Sequence, residues 1–203
     1  MLGGVGEPGL AGAAVLVPVK AFGAAKARLA PALDARSRAA LAERMATRVL
    51  AAAAPLPAVV VCDDDGVATW ARACGASVVW SPGRGLDRAV ADGVAWLASR
   101  GTVRVVVAHA DLPLAEGLAD LAAGSGVTLV PDRREDGTNV AVVPVSAGFR
   151  FSYGFGSFAR HVAETARLGL ELTVVRRADL AWDVDFPADL GYAEPEPLAS
   201  RPA

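Results

Sequence analysis

The stretch that most constrains the fold is residues 103–113, VRVVVAHADLP. Val103, Val105, Val106 and Val107 make a nearly continuous β-branched run, which suits a central strand covered by helices on both faces. Pro113 stops such a strand by removing a ladder donor. Asp111 is therefore placed just past the carboxyl end of a buried strand, the edge at which open α/β sheets bind ligands. Two readings of Asp111 stand at this point: a site carboxylate, or the cap of a helix beginning near Leu114.

The rest of the chain repeats this alternation. Residues 13–19, 58–62, 76–80, 126–131, 140–144 and 172–175 read as further buried strands. Asp34 is placed to cap a long helix, because Leu41, Met45 and Val49 recur at i, i+4 and i+8 as its core stripe. Helices are also expected around residues 67–74, over 86–99, briefly after Asp111, and over 158–168. His161 on the last of these reads as packed or surface-exposed rather than catalytic. Strands alternating with helices predict an α/β fold with a mostly parallel, doubly wound sheet. With 203 residues and 53% hydrophobic content, one domain with a single sizeable core is expected. Residues 1–12 are Gly-rich and expected to be disordered, residues 13–192 form the domain, and residues 193–203 form a Pro-rich tail.

A formal net charge of -2 argues against a nucleic-acid partner bound through overall basicity. No apolar run approaches the roughly 20 residues that span a bilayer, and the start lacks a basic segment followed by a long apolar one. A cytoplasmic protein with no membrane association is the expectation. Cys62 and Cys74 then read as buried reduced thiols, and without a Cys-x-x-Cys pair no zinc site is expected. Two histidines give little material for a Ser-His-Asp or Cys-His constellation.

In a doubly wound sheet, the loops leaving the strands at one edge share a crevice. Those loops are residues 20–28, 63–65, 81–87, the neighbourhood of Asp111, and 132–139. The first carries Lys20, Lys26 and Arg28 among Gly and Ala, as a loop must to approach and neutralise a polyphosphate. A solvated basic loop is the plainer alternative. The turn Ser81-Pro-Gly-Arg-Gly85 exposes backbone donors at a helix start. Asp63, Asp64 and Asp65 point in different directions as sequence neighbours, so capping of the next helix is favoured over a metal cluster. Lysines meeting carboxylates point to a polyphosphate with Mg²⁺, an ion that takes one or two carboxylates supplemented by phosphate oxygens and water.

These residues, in this order, resemble a known family. Val17-Pro-Val-Lys20, Ala25-Lys-Ala-Arg-Leu29, Gly85-Leu86, Asp111-Leu-Pro113, Asp136-Gly-Thr-Asn139, Gly156-Ser-Phe158 and Asp183-Val-Asp-Phe-Pro-Ala-Asp-Leu190 are similar to segments of the 2-phospho-L-lactate or phosphoenolpyruvate guanylyltransferases of deazaflavin-coenzyme biosynthesis. The resemblance covers roughly residues 15–192. It implies a single-domain nucleotidyltransferase fold like molybdopterin guanylyltransferase and the GT-A glycosyltransferases, with GTP as co-substrate and Mg²⁺ as cofactor.

Carried over by position, the resemblance implies that Lys20, Lys26 and Arg28 form the triphosphate loop, and that Gly85 and Asp87 face base and ribose. It implies Asp111 and Asp185 as metal-binding carboxylates, with Asp183 the neighbouring candidate, and Thr138, Asn139, Gly154 and Ser157 as the acceptor-phosphate region. Lys26, Asp111 and Asp185 are then the catalytic set. The chain departs from the family at two positions: Asp87 stands where Asn is usual, and Phe155 where Pro is common. A carboxylate at Asp87 is expected to accept from the two donors on guanine's Watson–Crick edge. The implied reaction is attack by an acceptor phosphate oxygen on the α-phosphorus of GTP, with pyrophosphate leaving. A phosphate monoester is largely dianionic at neutral pH, so the nucleophile needs no general base. The Ala- and Arg-rich composition resembles the actinobacterial members, which implies phosphoenolpyruvate over 2-phospho-L-lactate. The alternatives are another nucleotidyltransferase of this fold, such as a molybdopterin guanylyl- or cytidylyltransferase, and a non-catalytic nucleotide-binding module. The former usually carry a Leu-Ala-Gly-Gly-like first loop, which Val17-Pro-Val-Lys20 lacks.

Overall fold

Successive residues of β1 (Gly12–Pro18) point to opposite faces of the sheet, and from Ala14 to Val17 all four are fully buried. Val15 and Val17 pack with α1 (Ala35–Ala52) and α2 (Asp65–Ala73), while Ala14 and Leu16 pack with α3 (Gly85–Ala98). A strand without a polar face must be covered on both sides, and this one is. The computed structural model describes residues 12–191. The expected disordered segment and Pro-rich tail therefore lie outside the described residues, except that Gly12 is strand.

The remaining elements are β2 (Ala58–Cys62), β3 (Ser77–Trp80), β4 (Thr102–Ala108), β5 (Val127–Pro131), β6 (Thr138–Pro144), α4 (Ser157–Arg167), β7 (Leu172–Val174) and α5 (Ala178–Ala181). They form one seven-stranded sheet in the order β3-β2-β1-β4-β6-β5-β7. From β1 the chain winds outward through β2 to β3, then returns through α3 to lay β4 against the other side of β1. All these pairings are parallel. The winding direction reverses between β1 and β4, which opens a crevice beyond their carboxyl ends. Gly93 on α3 lets the helix approach closely: a Cβ there would lie 2.7 Å from both terminal carbons of Leu16.

β6 runs antiparallel to both of its neighbours, β4 and β5. The link between β5 and β6 is too short for a crossover helix, and residues 132–137 make a turn instead. Asp132 holds it by accepting from the backbone N–H groups of Arg134 at 2.9 Å and Asp136 at 3.0 Å. The turn lies at the same sheet edge as the ends of β1 and β4.

Two helices begin as capping chemistry requires. Asp34 accepts from the backbone N–H of Ser37 at 2.7 Å, and Asp64 from that of Val67 at 2.9 Å. The helix expected near Leu114 is absent: the next helical turn is a 3-10 segment, Leu118–Ala122, behind Gly117 with no side-chain cap. The capping reading of Asp111 is thereby overturned. Cys62 is buried as expected, but Cys74 is exposed, because it terminates α2 on the solvent side.

Candidate active site

After β1 the chain makes two 3-10 turns, Phe22–Ala24 and Ala27–Leu29, with Lys26 between them in the left-handed conformation at φ 55°. That conformation is uncommon for a residue with a Cβ. Leu29 pins the loop by burying itself against Leu41, Met45 and Val184. The result aims the Lys26 ammonium across the crevice, 2.6 Å from Asp111 Oδ2 and 3.2 Å from Asp185 Oδ1. Arg28 reaches the other Asp185 oxygen at 3.5 Å. Burial lowers the pKa of Lys26, but the charges of Asp111 and then Asp185 outweigh it and hold the ammonium above its ordinary value. Burial likewise pushes the Asp111 carboxyl up, and Lys26 reverses this to a net lowering. Both groups stand ionised.

Asp185 arrives from the far end of the chain. In Asp183-Val184-Asp185 the middle residue is buried in the cluster with Leu29, and its N–H donates to the Asp111 carbonyl at 3.3 Å. Asp189, fully buried, fixes the segment from behind: it accepts from the backbone N–H of Asp185 at 2.9 Å and of Phe186 at 2.7 Å. Arg133 and Arg134 neutralise it, and burial notwithstanding its carboxyl is lowered to about 2 by those N–H groups and the two guanidinium groups. Burial and then the Asp111 charge push Asp183 up to about 6.

Two carboxylate oxygens in this region, Asp111 Oδ1 and Asp183 Oδ1, are buried without a hydrogen-bond partner, the latter with the Arg133 guanidinium 3.9 Å away. A buried acceptor such as Asp111 Oδ1 is costly unless a cation or donor completes it. Among the described residues no group of three or more His, Cys, Asp or Glu side chains forms a metal cage. A hard divalent ion that shares its coordination with substrate phosphates needs only one or two carboxylates, and Asp111 with Asp185 or Asp183 fits that demand.

Asp111 and Asp185, but not Asp183, line a pocket of about 580 Å³, within the usual range for small-molecule sites. Lys20, Lys26, Arg28, Gly85, Asp111, Gly154 and Asp185 all contribute to its wall. So do Asp63, expected to cap the next helix although only Asp64 does so, Arg84 of the glycine turn, and His109, which sequence reasoning did not single out. Asp63 accepts from the Gly83 N–H at 3.2 Å, tying the end of β2 to the glycine turn. His109, just past β4, leans its ring on Tyr153 with centroids 4.8 Å apart, and burial lowers its pKa so that the imidazole is neutral. Its position two residues before Asp111 was the available signal.

The other candidates stand back from the wall. The Asp87 carboxylate accepts from the Tyr153 N–H at 2.7 Å, joining the first turn of α3 to the segment before α4. Thr138, Asn139 and Ser157 are buried, and their side chains are engaged internally. Ser157 Oγ accepts from the Thr138 N–H at 3.0 Å, Thr138 Oγ1 lies 3.0 Å from His161 Nδ1, and Asn139 donates to the Leu180 carbonyl at 2.9 Å. Because His161 Nε2 accepts from the Ser152 N–H at 3.0 Å, the neutral ring carries its proton on Nδ1 and donates to Thr138. These residues form the frame behind Gly154.

The fold is one shared with solved nucleotidyltransferases. A solved nucleotidyl transferase from Methanothermobacter thermautotroptrophicus superposes with a TM-score of 0.62 over 89% of this chain and 94% of that chain, at 16% identity, a likeness of fold. Within that class the family follows from sequence: the family described as "Guanylyl transferase CofC like" matches residues 13–193, and the chain belongs to it. The phosphoenolpyruvate guanylyltransferase of Rubrobacter xylanophilus is 35% identical over 189 residues, covering 88% of this chain and 92% of that one. The phosphoenolpyruvate guanylyltransferase of Conexibacter woesei is 38% identical over 199 residues, covering 92% of this chain and 88% of that one.

Proposed function

We propose that this protein transfers GMP from GTP to the phosphate of phosphoenolpyruvate and releases pyrophosphate. The observation that carries the reading is the Lys26 ammonium held between Asp111 and Asp185 at the reversal of the sheet, in a chain whose curated relatives are phosphoenolpyruvate guanylyltransferases.

Lys20, Lys26 and Arg28 would neutralise the triphosphate, and Asp111 and Asp185 would hold Mg²⁺, with Asp183 beside them. When bound, Mg²⁺ supplies charge neutralisation to the phosphate oxygens of the transition state. The Lys26 ammonium spans both carboxylates and would add its charge to the neutralisation of the triphosphate. Gly85 opens α3 with φ 71°, and its turn presents backbone donors to the nucleoside. An acceptor phosphate oxygen attacks the α-phosphorus as the bond from that phosphorus to the bridging oxygen breaks, and the pyrophosphate carries the electron pair away. The dianionic phosphate needs no proton removed. Catalysis then rests on positioning and charge, which agrees with a pocket whose one lining histidine, His109, is half-buried and neutral.

A pyrophosphate-release screen of GTP, CTP and ATP against phosphoenolpyruvate, 2-phospho-L-lactate and 3-phosphoglycerate tests this. Release with GTP and phosphoenolpyruvate well above every other pair is expected. Equal kcat/KM for 2-phospho-L-lactate would remove the acceptor preference, and release with CTP alone would remove the guanylyl assignment.

A further inference from the structure

The segment between β6 and α4 closes the pocket at Gly154. Arg160, in the first turns of α4, bends its guanidinium back onto this segment. Its Nε donates to Ser152 Oγ at 2.8 Å and to the Ser152 carbonyl at 3.3 Å. Its Nη2 reaches the carbonyls of Ser152 at 3.0 Å, Tyr153 at 3.1 Å and Gly154 at 3.4 Å, and its Nη1 takes that of Phe155. One side chain therefore collects four successive carbonyls.

In a planar trans peptide the C=O and the following N–H point in opposite directions. Carbonyls 152–155 gathered at the guanidinium put the N–H groups of residues 153–156 on the far side. The outer two are taken: Tyr153 donates to Asp87 at 2.7 Å, and Gly156 to both oxygens of Asp136 at 3.1 Å. The inner two, on Gly154 and Phe155, donate to no group among the described residues. Gly154 at φ 96° and Gly156 at φ 71° supply the left-handed turns that let consecutive N–H groups converge on an anion.

We propose that Arg160 is a positioning residue for the acceptor: by holding carbonyls 152–155 behind the loop, it leaves the Gly154 and Phe155 N–H groups free to bind the acceptor's anionic group. This rests on the reading that the acceptor is a small phosphorylated acid bound beside Gly154. Arg160 touches neither substrate, and its effect passes through the loop.

The test is steady-state kinetics of Arg160→Ala and Arg160→Lys with GTP and phosphoenolpyruvate, alongside thermal melts. Losing the donors that orient four carbonyls should raise the phosphoenolpyruvate KM about tenfold or more, with the GTP KM within about twofold of the parent. Arg160→Lys should show a smaller rise, because an ammonium reaches fewer of the carbonyls than the planar fork does. An unchanged phosphoenolpyruvate KM in either folded variant overturns the proposal, as does a parallel rise of both KM values with early melting. If Arg160→Ala does not fold, Arg160→Lys decides on the same terms. Parent protein that uses a different phosphorylated acid overturns only the identity of the acceptor, since the same split is then read with that acid. Parent protein that transfers GMP to no acid overturns both.

Discussion

At the scale of single residues, the carboxylates of this chain divide by what their oxygens touch. Asp111 faces Lys26 with one oxygen and has no partner for the other, whereas Asp64 is satisfied by a backbone N–H at a helix start. Asp111→Asn should therefore lower kcat by three orders of magnitude or more, since loss of a charge that serves the transition state costs several kcal/mol. Asp64→Asn keeps a cap acceptor and should stay within about twofold of the parent. Comparable damage from both would place the metal carboxylates wrongly. Asp87 gives a sharper contrast. Facing Tyr153 rather than the pocket wall, it should act on the acceptor: Asp87→Ala raises the phosphoenolpyruvate KM and leaves the GTP KM near the parent value. A raised GTP KM alone would return it to the nucleoside. Lys26 and Asp111 were legible in the sequence because strand-end logic alone sends both to one edge. Asp87 was not, because its partner lies 66 residues away on a loop whose course no local pattern specifies.

At the scale of elements, every strand among the described residues was legible, since unbroken β-branched runs between turn residues leave few other solutions. Strand direction was not, and the antiparallel β6 follows from the shortness of the turn at Asp132 rather than from its own residues. Two elements carry testable consequences. α3 meets β1 at Gly93, where Leu16 is fully buried and cannot swing away. Gly93→Ala gains about 1 kcal/mol of helix propensity, yet overpacking costs about 1–3 kcal/mol, so a net loss is expected by urea denaturation. A more stable variant would contradict that close approach. α4 carries His161, lowered to about 4 mainly by burial, with Arg160 adding to it. The unfolded histidine titrates near its ordinary 6.5, so between pH 6.5 and 4 the unfolded chain takes up a proton that the folded one refuses. Its contribution is complete above pH 6.5 and lost as pH falls, by roughly 3 kcal/mol at most. Denaturation curves at pH 7 and 4.5 should converge more closely for His161→Gln than for the parent, and an identical pH dependence in the two would remove His161 as the cause.

At the scale of the whole molecule, the site exists because the sheet reverses between β1 and β4, so that loops distant in sequence arrive at one edge. The convergence of the basic loop, the glycine turn and Asp111 could be anticipated from alternation alone. Seven-strand order, the frame of Thr138, Asn139 and Ser157, and the buttress at Asp189 depend on tertiary packing that periodicity does not encode. Phosphorus NMR of the protein with GTP, phosphoenolpyruvate and Mg²⁺ tests most directly whether a phosphate attacks a phosphate in this crevice. Transfer to the α-phosphorus gives a pair of mutually coupled resonances from a new unsymmetrical diphosphate diester, growing in step with pyrophosphate and absent with Asp111→Asn. GDP with orthophosphate, or GMP and pyrophosphate without the new diester, would contradict it.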